Sequence, residues 1–406
     1  MFSRVHIRSL ASVNYLVKSI PRSTPVPRIS KKKEPKVSDS HLAPSGDFSR
    51  FLYTCDDLNE YFRAPEYEAP TSGQIDEAEA LFSGNGVKHE FTCANYNDLP
   101  DLKVARQEEI RRRKLDKVDL TNWSEYHDNL ALSRTSFGIQ ASLLKPLPEI
   151  LLIGHTNAGK LTLINNLLLS RQHAKAPKAE IKYARVSKKA GYTQYLNFFN
   201  VGNKIRLVDS PGYGRFGKRE QGNLVMQYIR ERKQLRRTYI VIDSNEGVRE
   251  EDAHLIEFLV ECGAPFEIIF TKVDSLAQKT YPAFNFHPAK DSVEERMASY
   301  KLVKEGNSRI ITHFQNIIEE SGLNDLATLP RLLFNNGMGG KYLKRRQGYR
   351  AIRFSMLESC GLIKRPGKPM LVEAPISNEE NKGRRKRVTR SPRVKDNNDR
   401  KSEGNR

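Results

Sequence analysis

The 406-residue chain has only four cysteines, Cys55, Cys93, Cys262 and Cys360, and no CxxC pair. That spacing excludes a disulfide framework and a cysteine-built zinc site, and it fits a reducing compartment. No run approaches ~18 consecutive apolar residues, which excludes an ordinary membrane-spanning helix. Hydrophobic residues make up 38% of the chain, so part of it is expected to remain unpacked. No internal repeat of ~20–50 residues is present.

The excess is in positive charge, with 68 Lys+Arg against 48 Asp+Glu and a net charge of +20. Residues 1–33 carry eight basic residues and no acid, and residues 382–406 carry eleven basic residues against three acids. Removing +8 at each end leaves +4 for residues 34–381. The opening MFSRVHIRSLASVNYLVKSI is acid-free, Ser-containing and amphipathic, with Arg8 and Asn14 breaking any continuous apolar core. This is the composition of a mitochondrial transit peptide, so a matrix protein is expected; an ordinary flexible basic terminus is the alternative. The tail GRRKRVTRSPRVKDNNDRKSEGNR lacks the apolar residues to fold alone. An electrostatic arm for RNA, a nuclear-import patch and a merely solvated tail all fit it.

Residues 34–147 read as an N-terminal extension: 65–86 is acidic, and 104–118 is a charged helix with Arg111, Arg112, Arg113 and Lys114 in succession. That helix is either solvated or RNA-facing. From Pro148 the texture changes. Short apolar runs (EILLI, YLNFFNV, KIRLVD, TYIVID, FEIIF, LLF) alternate with helical stretches such as KLTLINNLLL, QGNLVMQYIRER and EDAHLIEFLVEC. The pattern predicts an α/β fold over about 148–365, a doubly wound, mostly parallel sheet with helices on both faces. Ligands of such sheets sit beyond the carboxyl ends of the strands.

The chemistry-bearing residues fall there. Gly154-His155-Thr156-Asn157-Ala158-Gly159-Lys160 follows a strand and opens a helix, which is the P-loop pattern GxxxxGK in its required context. Its backbone N–H groups wrap phosphates and Lys160 reaches the terminal ones. The pattern expects a hydroxyl on Mg²⁺ next, and the chain has Leu161; Thr162 is turned away by about 100°. Mg²⁺ binding is therefore expected to be weakened, and hydrolysis more so than nucleotide binding. Asp209-Ser210-Pro211-Gly212 ends another strand, placing a carboxylate for Mg²⁺ through water and a glycine amide for a γ-phosphate. Thr271-Lys272-Val273-Asp274 ends a third. A carboxylate at Asp274 accepts two N–H groups from guanine while the Lys272 stem lies along the base, which favours GTP over ATP.

From these residues the chain resembles the EngB family of bacterial and organellar GTPases, implicated in large-subunit ribosome assembly. The resemblance covers about 148–360 and rests on PEILLIGHTNAGKLTLINNLL, SKKAGYTQYLNFF, RLVDSPGYG, IVIDSNEGVREEDAHLIEFL and IIFTKVDSL. FTCANYNDLP (91–100) resembles the family's lead-in, which makes 101–147 an insertion. The resemblance implies a P-loop G domain with a GTP/GDP site that also takes in Gly191, Thr193, Asn335 and Asn336. It implies Mg²⁺ on Thr193 and, through water, Asp209, and a K⁺ ion held by Asn157. Tyr213 occupies the position where signalling GTPases place a water-orienting glutamine, so no catalytic side chain is assigned and slow turnover is expected. The basic Arg185, Lys188 and Lys189 fall in the first switch, facing RNA in one state or solvent in both. The implied partner is the mitochondrial large ribosomal subunit or its rRNA, and the implied state a monomer. Two rivals stand beside this reading: a non-hydrolysing GTP-binding scaffold, because of Leu161, and an ATP-using P-loop enzyme.

Overall fold

The computed structural model describes residues 47–83, 87–118, 124–132, 135–169, 193–214 and 219–363. The basic terminus, the basic tail, Gly191 and the cluster Arg185, Lys188 and Lys189 lie outside them. Before Pro148 come helices α1 (Cys55–Tyr61) and α2 (Ser72–Ser83), strand β1 (Val87–Cys93), and helices α3 (Pro100–Leu115) and α4 (Glu125–Leu132). The strands expected from the apolar runs follow as β2 (Glu149–Gly154), β3 (Leu196–Val201), β4 (Ile205–Asp209), β5 (Leu235–Asp243), β6 (Phe266–Thr271) and β7 (Leu332–Phe334). Between and after them lie α5 (Lys160–Leu168), α6 (Arg219–Glu231), α7 (Glu250–Glu261), α8 (Val273–Thr280), α9 (Val293–Glu320) and α10 (Tyr349–Ser359).

The seven strands form one sheet in the order β1-β3-β4-β2-β5-β6-β7. The five from β4 to β7 run parallel, and β1 and β3 add an antiparallel edge. Successive side chains of a strand point to opposite faces, and each face here builds its own core. Leu151 and Ile153 pack with α6, α7, α8 and α9 on one side. Ile150 and Leu152 pack with α2, α5 and α10 on the other. Burial on both faces explains why the strands read as continuous apolar runs rather than alternating ones.

The segment before Pro148 covers both edges of this sheet. At one edge β1 pairs with β3, Phe91 stacking on Phe198 at 4.3 Å between ring centroids. At the other, the Asn59 side chain accepts from the Phe334 N–H at 2.8 Å and donates to the Phe334 carbonyl at 3.2 Å, standing in for a neighbouring strand. Such groups would otherwise be open to pairing with another chain. A buried ionic knot fixes the start of β2: Glu149 accepts two hydrogen bonds from Arg232, each 2.7 Å, and Arg232 also holds Asp101 at 2.6 Å. With that end tied down, the loop at the far end of β2 has a defined position.

Candidate functional site

β2 and β5 lie so close that a Cβ on Gly154 would sit 2.2 Å from the Val241 carbonyl oxygen. The first glycine of the loop is thus required by strand packing, independently of any phosphate. Asn157 and Gly159 take the left-handed conformation, with φ of 66° and 96°, and turn the loop into α5. Asn157 is exposed on the outer turn. Lys160, the first residue of α5, is buried, and its ammonium curls back to donate to the Gly154 and His155 carbonyls at 2.6 and 3.1 Å. Burial pushes its pKa down to about 8, against the pull of Asp209 and Asp252.

Asp209 closes β4 with no exposed surface. Burial pushes its pKa up to about 6, although Lys160, Asn197 and Thr193 all favour the charged form. Thr193 Oγ1 donates to Asp209 Oδ2 at 3.4 Å, while Oδ1 is buried without a hydrogen-bond partner. An orphaned carboxylate oxygen beside a hydroxyl suits a hard, oxygen-seeking cation such as Mg²⁺. Among the described residues no group of three or more His, Cys, Asp or Glu could hold a metal. Leu161 adds nothing to that shell. It packs against the apolar core beneath α5. Thr162 lies against the loop after β7, where a Cβ on Gly337 would lie 2.8 Å from its methyl group.

The loop after β4 presses on the P-loop: a Cβ on Gly212 would lie 2.9 Å from the Thr156 methyl group. The Thr156 amide donates to the Tyr213 carbonyl at 3.1 Å. The Tyr213 hydroxyl donates to Asp252, a buried acceptor in the first turn of α7. Arg249, just before α7, donates to His155 Nε2 at 3.1 Å and to Glu246 at 2.8 Å. His155 Nδ1 lies 2.9 Å from the Thr156 carbonyl, so the ring is held between its own loop and Arg249. Arg249 and Asp252 lie within the run IVIDSNEGVREEDAHLIEFL that carries the resemblance, but neither is among the expected site residues.

The third loop closes the other side. Thr271 Oγ1 donates to the Ala158 carbonyl at 2.6 Å. Lys272, at φ 58°, bonds Asp243 at 2.8 Å; burial alone would raise the Asp243 pKa, but Lys272 and Asn245 together hold it below the usual range. Asp274 is partly buried in the first turn of α8, and desolvation raises its pKa. Asn335 and Asn336 are buried, and their amides already donate to the Phe270 and Gln347 carbonyls at 2.9 and 3.4 Å. Their side-chain amides hold Tyr349 and the following loop. Gly154 to Lys160, Thr193, Asp209, Gly212, Thr271 and Lys272 therefore meet at one end of the sheet.

Burying Asp209 has a thermodynamic consequence. Its folded pKa of about 6 exceeds the ordinary 3.8, so the folded state holds a proton that the unfolded chain releases first. The stabilisation is complete below pH ~4 and is lost as pH rises through ~6, a loss of about 3 kcal/mol. Asp209→Asn in metal- and nucleotide-free protein is expected to lack this loss. Urea unfolding of both proteins at pH 4 and pH 7 measures it; parallel pH dependences would contradict the burial argument.

A family model described as a 50S ribosome-binding GTPase matches residues 149–272. The chain is 30% identical over 357 residues to MIOREX complex component 8 of Saccharomyces cerevisiae, covering 87% of this chain and 96% of that protein. It is 39% identical over 162 residues to the "Probable GTP-binding protein EngB" of a Wolbachia species (strain wRi), covering 37% of this chain and 77% of the relative. Among solved structures, Aquifex aeolicus Era bound to GDP and AlF4⁻ covers 54% of this chain and 58% of its own, at 17% identity and a TM-score of 0.33. With a parallel sheet, a P-loop at the end of β2 and relatives matched over most of their length, the chain belongs to the EngB family of GTP-binding proteins, GTPases built on a P-loop G domain.

Proposed function

We propose that the chain is a mitochondrial GTP-dependent switch acting on the large ribosomal subunit or its rRNA, in assembly or translation. The observation that carries the switch is the contact between Gly212 and Thr156: the glycine loop rests on the phosphate loop, and a γ-phosphate is read where they touch. The acid-free basic N-terminus supports import, and similarity along nearly the whole of MIOREX complex component 8 supports a shared role.

In this reading the P-loop amides and Lys160 bind the phosphates, and Asp274 selects guanine. Mg²⁺, held by Thr193 and, through water, Asp209, would neutralise phosphate charge. Asp209 is poised for that role because its buried charge lacks a partner at Oδ1. Tyr213 donates its hydroxyl hydrogen to Asp252, which leaves it no hydrogen with which to hold a water. Turnover is therefore slow unless a monovalent cation near Asn157 or a ribosomal partner supplies what the chain lacks. A second reading, a GTP-binding scaffold that does not hydrolyse, is favoured by the packing of Leu161 into the core.

A pull-down from mitochondrial extract with protein loaded with a non-hydrolysable GTP analogue or with GDP tests the proposal. Large-subunit rRNA is expected to be enriched several-fold in the analogue sample. Equal recovery in both states rejects the switch.

A further inference from the structure

Between Leu326 and Leu357 the chain carries seven basic residues and no acid. Three of them, Arg331, Arg350 and Arg353, are paired with Glu358, Asp76 and Glu79. The other four, Lys341, Lys344, Arg345 and Arg346, stand exposed on the loop between β7 and α10 and form no ion pair among the described residues. Lys341 and Lys344 lie over the Tyr342 and Phe286 rings, 5.3 and 5.5 Å from the centroids. Hydrogen bonds from Ser49 hold the Asp47 carboxyl below its usual range, with a smaller pull from Lys344 and His287.

The loop is held rather than merely exposed. Tyr342 is buried, and its hydroxyl points at the Tyr281 and Pro282 carbonyls, at 3.3 and 3.2 Å. Leu343 is buried beside it. The Asn336 side-chain amide donates to the Met338 and Arg345 carbonyls at 2.9 and 2.8 Å, and the Gly340 amide to the Leu343 carbonyl at 2.8 Å. A Cβ on Gly339 would lie 2.5 Å from the Lys344 carbonyl oxygen, so the turn tolerates little else.

Four cations carried on one braced loop repel one another, and an ordinary solvated surface relieves this by interspersing acids. Holding them together is repaid when a polyanion arrives, because little ordering remains to be done. The geometry points to this loop as a docking surface for the phosphate backbone of RNA, an inference that rests on the ribosomal reading above. Half-buried Phe284 and Phe286, packed on Tyr342 at 5.7 and 5.6 Å between centroids, offer ring edges beside the cations. A lipid surface fits less well: the cations sit on a loop rather than on an amphipathic helix, and the one large apolar side chain the loop exposes is Met338. The loop also adjoins the base site, since a Cβ on Gly340 would lie 3.5 Å from Asp274 Cβ.

The test uses full-length protein and the variant K341Q/K344Q/R345Q/R346Q, each titrated into a fluorescent 20-nucleotide single-stranded RNA across a salt series. Each lost phosphate contact lowers the salt slope by ~0.7, so the variant should lose roughly 2–3 in slope and about tenfold or more in affinity near 0.15 M salt. Unchanged GDP binding certifies its fold. Ultraviolet crosslinks of the wild type should map to 338–350. Equal slopes and affinities overturn the inference, as do crosslinks confined to 382–406. So does a variant that loses only binding to phosphatidylserine vesicles. If wild-type protein fails to recover large-subunit rRNA in either nucleotide state, the ribosomal reading fails instead, and the RNA titration still judges the loop.

Discussion

Asp274→Asn lowers the affinity for GDP by about a hundredfold or more and creates affinity for xanthosine diphosphate. A carboxylate offers acceptors to both N–H groups on the edge of guanine. Asparagine replaces one acceptor with a donor, leaving two N–H groups facing each other in a site where desolvation already raises the Asp274 pKa. Truncating one partner of a buried, charged hydrogen-bonded pair costs about 2–5 kcal/mol, the upper part of which applies when both bonds are affected. Xanthine carries a carbonyl where guanine has its amino group, so the new donor finds an acceptor there. The fold should tolerate the change, since Asp274 lies at a helix start and is only partly buried. Titration with fluorescent GDP and xanthosine diphosphate measures both arms. Undiminished GDP binding would refute base selection by this carboxylate, and ATP competing as well as GTP in the wild type would return the adenine rival.

The second large effect is at Leu161. Leu161→Ser supplies the hydroxyl that P-loops place on Mg²⁺, the ion for which Asp209 keeps a buried, unpartnered oxygen. The Mg²⁺-dependent part of GTP affinity is expected to rise about tenfold, and single-turnover hydrolysis by about ten- to a hundredfold, corresponding to ~1.4–2.8 kcal/mol. The cost is packing, because Leu161 leans on the core beneath α5 and losing it removes about 1–2 kcal/mol of burial. Calorimetry with and without Mg²⁺, beside a melting curve, separates the two. No change in Mg²⁺ response would show that Asp209 and Thr193 do not share an ion with position 161. Hydrolysis by the variant alone would establish the scaffold reading for the natural chain.

The six strands after Pro148 and the three loops that end them were legible because each strand is buried on both faces and each loop needs particular residue types. What resisted reading depends on partners far away in the chain. Strand β1, VKHEFTC, reads as neither alternating nor apolar, because its side chains at the edge are mostly exposed or half-exposed. Helix α2 buries Ala78, Glu79 and Phe82, and Glu79 makes sense only opposite Arg353. The 28-residue α9 had a readable start, since Ser292 and Glu295 form a capping box, but its apolar positions are diluted by charge. At the site, the tie between Tyr213 and Asp252 and the contact of Arg249 with His155 join separate motifs whose spacing does not reveal the pairing. The side chains of Asn335 and Asn336, expected near the base, brace Tyr349 and the basic loop, a role no local pattern announces.

The two edges of the sheet are finished by chain that leaves the ribosome long before the strands it must meet. β1 must wait for β3, about a hundred residues further on, and Asn59 for Phe334, 275 residues further on. Pairings of such long range fold slowly and leave intermediates prone to aggregate. A recombinant fragment cut to begin at the P-loop domain would carry this vulnerability permanently, as two raw borders ready to stick to its neighbours.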